Sequence, residues 1–235
     1  MNKHNGPKFQ TATTLKHEIL AGTYHSFIFE TKNPLIYKPG QYISVRVTED
    51  RINAYSIAGN DEPNKFMVLV DISPGGPGSK FFEALKVGEK ISYLGPFGVF
   101  TLKENDNAKE LIFLGTGSGC SPLRCILDAA LKEKNIQKPL TLYFGLRNPG
   151  DIFWQDYFKK LSQEHPNFKF KLTLSRPDES WQGPTGHITD LVNSDFSNMN
   201  GYSAYLCGNK EMIDEANNIL ALKGVAKEKI YFEKF

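Results

Sequence analysis

Hydrophobic positions in this 235-residue chain change their period once. Up to about residue 100, short runs mix β-branched, aromatic and polar residues: 15–18, 24–30, 42–47, 54–57, 66–72 and 90–94. Each is bounded by Gly, Pro, Asn or Asp. Alternation puts successive side chains on opposite faces of an extended chain, and short strands at regular spacing predict a small antiparallel barrel of Greek-key type. One stretch breaks the pattern. Residues 73–85, SPGGPGSKFFEAL, read as a glycine-rich turn running into a helix, with Ser79 in the place of an N-cap.

Past the polar turn 104–107 the pattern becomes that of a two-sided sheet. Apolar runs at 111–114, 140–144, 168–174, 203–206 and 230–232 alternate with helical patterns at 123–134, 156–165, 188–191 and 210–222. This alternation predicts an α/β domain, a doubly wound and mostly parallel sheet. The expected organisation is therefore a barrel domain over 1–104 and an α/β domain over 105–235. In such sheets ligands bind beyond the carboxyl ends of the strands. The residues expected there are 115–121, 145–147, Ser175-Arg176 and Cys207-Gly208.

The stretch 111–122, LIFLGTGSGCSP, runs from an apolar strand through glycines into a helix start. A helix N-terminus offers free N–H groups and partial positive charge, which suits a phosphate. Two common phosphate turns do not fit. The G-x-G-x-x-G fingerprint fails because Cys120 stands in the sixth place and Gln137 occupies the region of the ribose-binding acid. A P-loop fails because no lysine lies between Gly115 and Pro122.

Composition narrows the chemistry only a little. With 40% hydrophobic and 23% charged residues the chain is of ordinary globular type, and a net charge of +2 gives no reason to expect nucleic acid. The three cysteines, Cys120, Cys125 and Cys207, include no C-x-x-C pair. They support neither a disulfide framework nor a cysteine-held metal or cluster, and they fit a reducing cytoplasm. The N-terminus is polar and no apolar run reaches membrane-spanning length, so no membrane attachment is expected. The five histidines show no metal-binding spacing, and no metal is expected.

Seven stretches, in order along the chain, resemble the ferredoxin–NADP reductase family of flavoproteins. They are Pro39-Gly40-Gln41-Tyr42, Ala54-Tyr55-Ser56-Ile57, residues 75–79, Gly95-Pro96-Phe97-Gly98, residues 115–122, Cys207-Gly208 with Met212, and Tyr231-Phe232-Glu233-Lys234-Phe235. The resemblance implies an FAD-binding barrel and an NAD(P)-binding α/β domain with the flavin ring between them. It places Tyr55 against the flavin ring and Ser56 near N5, the hydride acceptor. Gly76, Gly78 and Ser79 would hold the flavin pyrophosphate. Gly115, Thr116, Gly117 and Ser118 would hold that of NAD(P)H. Cys207 would lie by the nicotinamide C4, with Gly208 and Met212 beside it. Glu233 would lie at the flavin edge and Phe235 over the ring face. Ser56, Cys207, Glu233 and Phe235 are thus the implied catalytic set.

The sequence departs from the family at Asn53, where the family has an arginine pairing with the flavin phosphate. With Asn53 and Ala54 on the strand, Arg51 or Lys80 is left to supply the charge. For the nicotinamide nucleotide, the resemblance implies that Ser175 and Arg176 meet a 2′-phosphate, with Arg147 as another candidate, which favours NADP over NAD. The expected activity is hydride exchange between NADPH and FAD, with single electrons passed to ferredoxin or flavodoxin as a separate protein, by a monomer. Two other readings stand beside it: an NADH-dependent reductase component of an oxygenase system, and a non-catalytic nucleotide-binding regulatory subunit. Without the resemblance, Cys207, Tyr55 and Phe235 are ordinary core or surface residues.

Overall fold

The computed structural model describes residues 8–59, 62–103 and 106–234. Its backbone divides into two compact units, Met1–Thr101 and Leu102–Phe235. The boundary expected from sequence, between 104 and 105, falls on residues outside the described ones.

The first unit is a closed antiparallel barrel of six strands: β1 (Gln10–Ala21), β2 (Tyr24–Thr31), β3 (Tyr42–Arg46), β4 (Ile52–Gly59), β5 (Lys65–Asp71) and β6 (Lys90–Phe97). They are ordered β1-β2-β5-β4-β3-β6 around the barrel, a Greek-key path. Phe27, Phe29, Ile43, Val45, Ile57, Phe66 and Val68 are fully buried and fill it. β1 is far longer than the run 15–18 predicted, because its inward positions are small or polar. Ala12 and Thr14 are buried there, and the first half of the strand is held by pairing with β6 as well as β2.

After β5 comes helix α1 (Pro77–Ala84), whose Phe82 is fully buried. The Phe82 ring lies 5.0 Å from that of Phe27 and 4.7 Å from that of Tyr55. Here the structure corrects the expected cap. Gly76 is the N-cap and makes no side-chain capping bond, while Ser79 is buried inside the first turn. The reason is Pro77, whose fixed φ starts the helix two residues before Ser79.

The second unit is a five-stranded parallel sheet ordered β11-β10-β7-β8-β9. Its strands are β7 (Glu110–Thr116), β8 (Leu140–Leu146), β9 (Phe168–Leu174), β10 (Tyr202–Gly208) and β11 (Ile230–Lys234). All seven residues of β8 are buried, as a central strand covered on both faces requires. The helices are α2 (Cys120–Asp128), α3 (Gln155–Glu164), α4 (Ile188–Asp195) and α5 (Lys210–Leu222). α2 begins earlier than expected, straight out of a 3-10 turn at Gly117–Gly119, and gives way at Ala129–Glu133 to a π-helical turn. Pro122 is tolerated because it lies in the first turn, where an N–H has no helical partner.

A polar clasp closes the far end of this unit. The Asp106 carboxylate, 3% exposed, pairs with Lys229 at 2.9 Å, and Lys229 also donates to the side-chain oxygen of Asn107 at 2.8 Å. This ties the start of the unit to the turn that leads into β11. No helix among the described residues is long and apolar enough to cross a membrane.

Candidate functional site

In the barrel unit the candidate site is built on β4 and the start of α1. Asn53 and Tyr55 are two residues apart on a strand and so share a face. They meet Gly78: a Cβ there would stand 2.3 Å from the Tyr55 hydroxyl oxygen and 2.6 Å from the Asn53 Nδ2. A larger residue at this helix start would push both side-chain ends aside. Arg51 donates from Nε to the Asn53 Oδ1 at 3.3 Å, which lays its guanidinium against the same amide. Burial pushes the Tyr55 hydroxyl above its ordinary pKa, with a hydrogen bond from Asn53 pulling the other way. The phenol is therefore neutral and can donate.

A cation, an amide, a phenol and a helix start without a side-chain cap thus converge at one place. This donor set fits a diphosphate. Gly76 is the N-cap, and Lys80 is exposed on the same helix. Ala54 and Ser56 occupy the other face of β4, with Ser56 opposite Tyr42 in the ladder. Phe235 lies outside the described residues.

In the α/β unit the chain runs β7, β8, β9 to one side and then returns to place β10 and β11 on the other. The crevice at such a reversal, beyond the carboxyl ends of β7 and β10, is where doubly wound sheets take their ligands. Residues gathered at that point match those singled out from sequence. Cys207 lies opposite Gly115 on one side and opposite Glu233 on the other, a row across three strands. The two strand ends nearly touch. A Cβ on Gly119 would stand 2.3 Å from the Cys207 carbonyl oxygen, and one on Gly208 would stand 2.3 Å from the Thr116 Oγ1 and 2.5 Å from the Met212 Cε. Thr116, Gly117 and Ser118 remain partly exposed, and no side chain caps α2. This bare backbone turn also fits a diphosphate.

Cys207 is 1% exposed. Burial pushes its thiol well up, and nearby Glu233 and Cys120 add to the effect. It is a neutral, small, soft side chain rather than a thiolate, so it suits close contact with a planar ring and not nucleophilic attack. Burial likewise raises Cys120.

The two arginines stand side by side at the ends of β8 and β9. Ser175 donates its N–H to the Leu146 carbonyl at 3.0 Å and Arg176 to that of Arg147 at 2.8 Å, extending the ladder beyond the strands. Both arginine side chains are exposed.

Sequence reasoning passed over two residues here. Asn209 caps α5, its Oδ1 accepting from the Met212 N–H at 2.9 Å, and so fixes the turn after Cys207-Gly208. An Asn just before an amphipathic run was the available signal. Trp181, in the loop after Arg176, left no such signal. The structure also joins two histidines that are eight positions apart, His17 and His25, with 2.9 Å between ring nitrogens across the β1–β2 hairpin.

Comparison with known proteins adds to this geometry. Residues 12–102 match the model of an oxidoreductase FAD-binding domain and residues 113–218 that of an oxidoreductase NAD-binding domain. The chain is 32% identical over 226 residues to the reductase component DmpP of phenol 2-monooxygenase from Pseudomonas sp. (strain CF600), covering 92% of this chain and 62% of that protein. It is 30% identical over 203 residues to the ferredoxin–NAD(P)(+) reductase component of the naphthalene 1,2-dioxygenase/salicylate 5-hydroxylase systems of Ralstonia sp., covering 86% and 61%. It thus spans about three-fifths of the length of these curated relatives. Among solved structures, the Amycolatopsis cytochrome P450 reductase GcoB superposes with a TM-score of 0.90 at 27% identity, over 97% of this chain and 70% of that one.

Proposed function

This chain belongs to the family of FAD- and NAD-binding oxidoreductases that includes ferredoxin–NADP reductase, and we propose that it takes a hydride from NADPH onto FAD and hands single electrons to a separate ferredoxin- or flavodoxin-like carrier. One observation carries the reading. The chain has two helix starts with no side-chain cap whose donors fit a diphosphate, at Gly78 with Asn53 and Tyr55, and at residues 116–119 with Gly208. They fall within the stretches matched as FAD-binding and NAD-binding domains.

Each residue then has a task. Arg51 and Asn53 replace the usual single arginine at the flavin phosphates, with the N–H groups after Gly76 completing the seat. Tyr55 lies along the flavin ring, and Ser56 supplies a hydroxyl near its hydride-accepting nitrogen. Thr116, Gly117 and Ser118 hold the nicotinamide nucleotide's diphosphate. Cys207, neutral and small, lets a nicotinamide ring approach closely, and Glu233 on the next strand is positioned beside it. FAD supplies the conversion of a two-electron hydride into single-electron steps.

The choice of NADPH rests on Arg147 and Arg176, paired through their backbones at 2.8 Å and open to solvent. Two guanidinium groups suit a phosphate monoester. The DmpP and naphthalene-system relatives are named as reductase components of a monooxygenase and of a dioxygenase/hydroxylase system, which favours a second reading: that the electron acceptor serves an oxygenase. In that reading the donor is NADH. Kinetics separate the two. Arg176→Ala should cost NADPH roughly 10–100-fold in kcat/KM, as loss of a charge-assisted hydrogen bond does, and leave NADH within about threefold. Equal losses for both nucleotides reject the 2′-phosphate role. The broader reading fails if the purified protein binds no FAD, or if neither nucleotide bleaches the bound flavin anaerobically.

A further inference from the structure

Residues 175–187 leave β9 just after Leu174 and lead into α4, and Arg176 stands near their start. So long an exposed segment would ordinarily be mobile. Here it is fastened by a compact set of bonds. Arg176 donates to the Arg147 carbonyl at 2.8 Å and Gly186 to the Leu174 carbonyl at 2.9 Å. The Pro184 carbonyl accepts three donors: the Leu174 N–H at 3.3 Å, the Thr173 hydroxyl at 3.1 Å and the Trp181 indole Nε1–H at 2.9 Å. The Trp181 backbone N–H donates to the Asp178 carbonyl at 3.2 Å, and the Asp178 carboxylate accepts from the Ser180 N–H and hydroxyl at 3.0 and 2.5 Å. The indole ring packs against Gly183, where a Cβ would stand 2.3 Å from its Cζ2.

Trp181 thus reaches from the Asp178 turn, through its backbone N–H, to the anchor at Pro184, through its indole. On the α3 side a groove of about 350 Å³ runs along Gln155, Lys159, Phe170, Leu172, Trp181 and Pro184.

We propose that Trp181 is a positioning residue for nucleotide selectivity: its clasp on Gly183 and Pro184 holds the loop in the shape that presents Arg176 beside Arg147. The proposal rests on the reading that these arginines take the 2′-phosphate of NADPH. The physical reason is preorganisation. A phosphate bound by a loose loop must order backbone and guanidinium together, and that entropic loss weakens binding. A loop already closed by the indole orders only the arginine side chain. Trp181 need not touch the nucleotide, so its effect belongs to the phosphate and not to hydride transfer.

The test compares wild type with Trp181→Leu, Trp181→Phe, Gly183→Ala and Arg176→Ala. Two readouts are used: calorimetric binding of 2′,5′-ADP against 5′-AMP, and KM and kcat for NADPH and NADH with ferricyanide as acceptor. Trp181→Leu removes the ring and its donor, and Gly183→Ala pushes an intact ring off its seat. Both should weaken 2′,5′-ADP binding and raise KM for NADPH by about tenfold, with kcat, KM for NADH and 5′-AMP binding within about twofold. Trp181→Phe, which keeps a ring on Gly183 but loses the indole donor, should fall between.

The proposal is overturned if Arg176→Ala abolishes the preference for 2′,5′-ADP while Trp181→Leu and Gly183→Ala, with unchanged kcat, bind it as wild type does. It is also overturned if the Trp181 variants weaken both nucleotides equally. Wild type that binds 2′,5′-ADP no more tightly than 5′-AMP overturns the NADPH reading itself, and the role of Trp181 with it.

Discussion

At the scale of single residues, the candidate sites are marked by what cannot be there. Gly78, Gly119 and Gly208 each stand where a methyl group would lie within 2.3 Å of an oxygen. At Gly119 that oxygen belongs to the Cys207 backbone, which cannot swing away. At Gly78 it is the Tyr55 hydroxyl, with the Asn53 amide nitrogen at 2.6 Å. On the proposed reading Asn53 would meet the flavin phosphates and Tyr55 the flavin ring. Gly78→Ala should therefore leave the barrel folded but displace Tyr55 and Asn53. Overpacking of this kind costs ~1–3 kcal/mol, and ~1.4 kcal/mol is tenfold in affinity, so FAD binding should weaken about tenfold or more. Fluorescence titration of the apoprotein with FAD measures it. Affinity equal to that of wild type would remove Gly78 from the flavin seat. Gly78 and Gly119 stand out in the sequence as members of glycine-rich turns between a strand and a helix, whereas Gly208 stands alone and is marked only by its place at a strand's carboxyl end. Trp181 was not, because its partners are a backbone carbonyl and a glycine brought close only by the folded loop.

At the scale of elements, the β1–β2 hairpin carries a titratable pair that no local pattern announces. The His17 ring stacks on that of Phe27 at 4.4 Å and shares a hydrogen bond with buried His25. Burial and then the neighbouring His17 hold the pKa of His25 below its ordinary value, while Glu83 on α1 and Asp71 on β5 pull it back up. The sign follows from linkage. Below about pH 6.5 the unfolded chain takes up a proton at this position more readily than the folded one, so stability is full above that pH and falls beneath it. Urea midpoints of the wild type should decline from pH 7 to pH 5, and His25→Gln should flatten that decline. Parallel declines in the two proteins would deny the pair any part in it.

The ease of reading an element depended on what carried its pattern. The run 168–174 and the helix 210–222 coincide with β9 and α5 because uninterrupted apolar or amphipathic periodicity defines both. The pattern cuts β1 short because small Ala12 and polar Thr14 take its inward positions, and it starts α1 late because Pro77 outweighs Ser79 as a start signal.

At the scale of the whole molecule, the change of period near residue 100 reflects two different ways of burying a core. Residues 10–97 close a barrel on itself, and residues 110–234 cover both faces of a parallel sheet with helices. Each unit has its own filled core: Phe27, Phe29, Ile43 and Phe66 in one, Ile112, Leu114, Leu206 and Ile213 in the other. Each also carries one of the two glycine-lined helix starts proposed above as diphosphate cradles. Ligands that bind only the folded state stabilise by mass action, ~2.7 kcal/mol at a hundredfold excess over Kd. If the cradles belong to the ligands proposed, that stabilisation should be unit-specific. Differential scanning calorimetry of the apoprotein should resolve two transitions. Added FAD should raise the one assigned to Met1–Thr101, and 2′,5′-ADP the one assigned to Leu102–Phe235. With ~2.7 kcal/mol acting on about 100 residues, a shift of roughly 10 °C or more is expected. Limited proteolysis at each temperature identifies which half has opened. FAD that protects the C-terminal half, or 2′,5′-ADP that protects the barrel, would mean that the two cradles have been assigned to the wrong ligands.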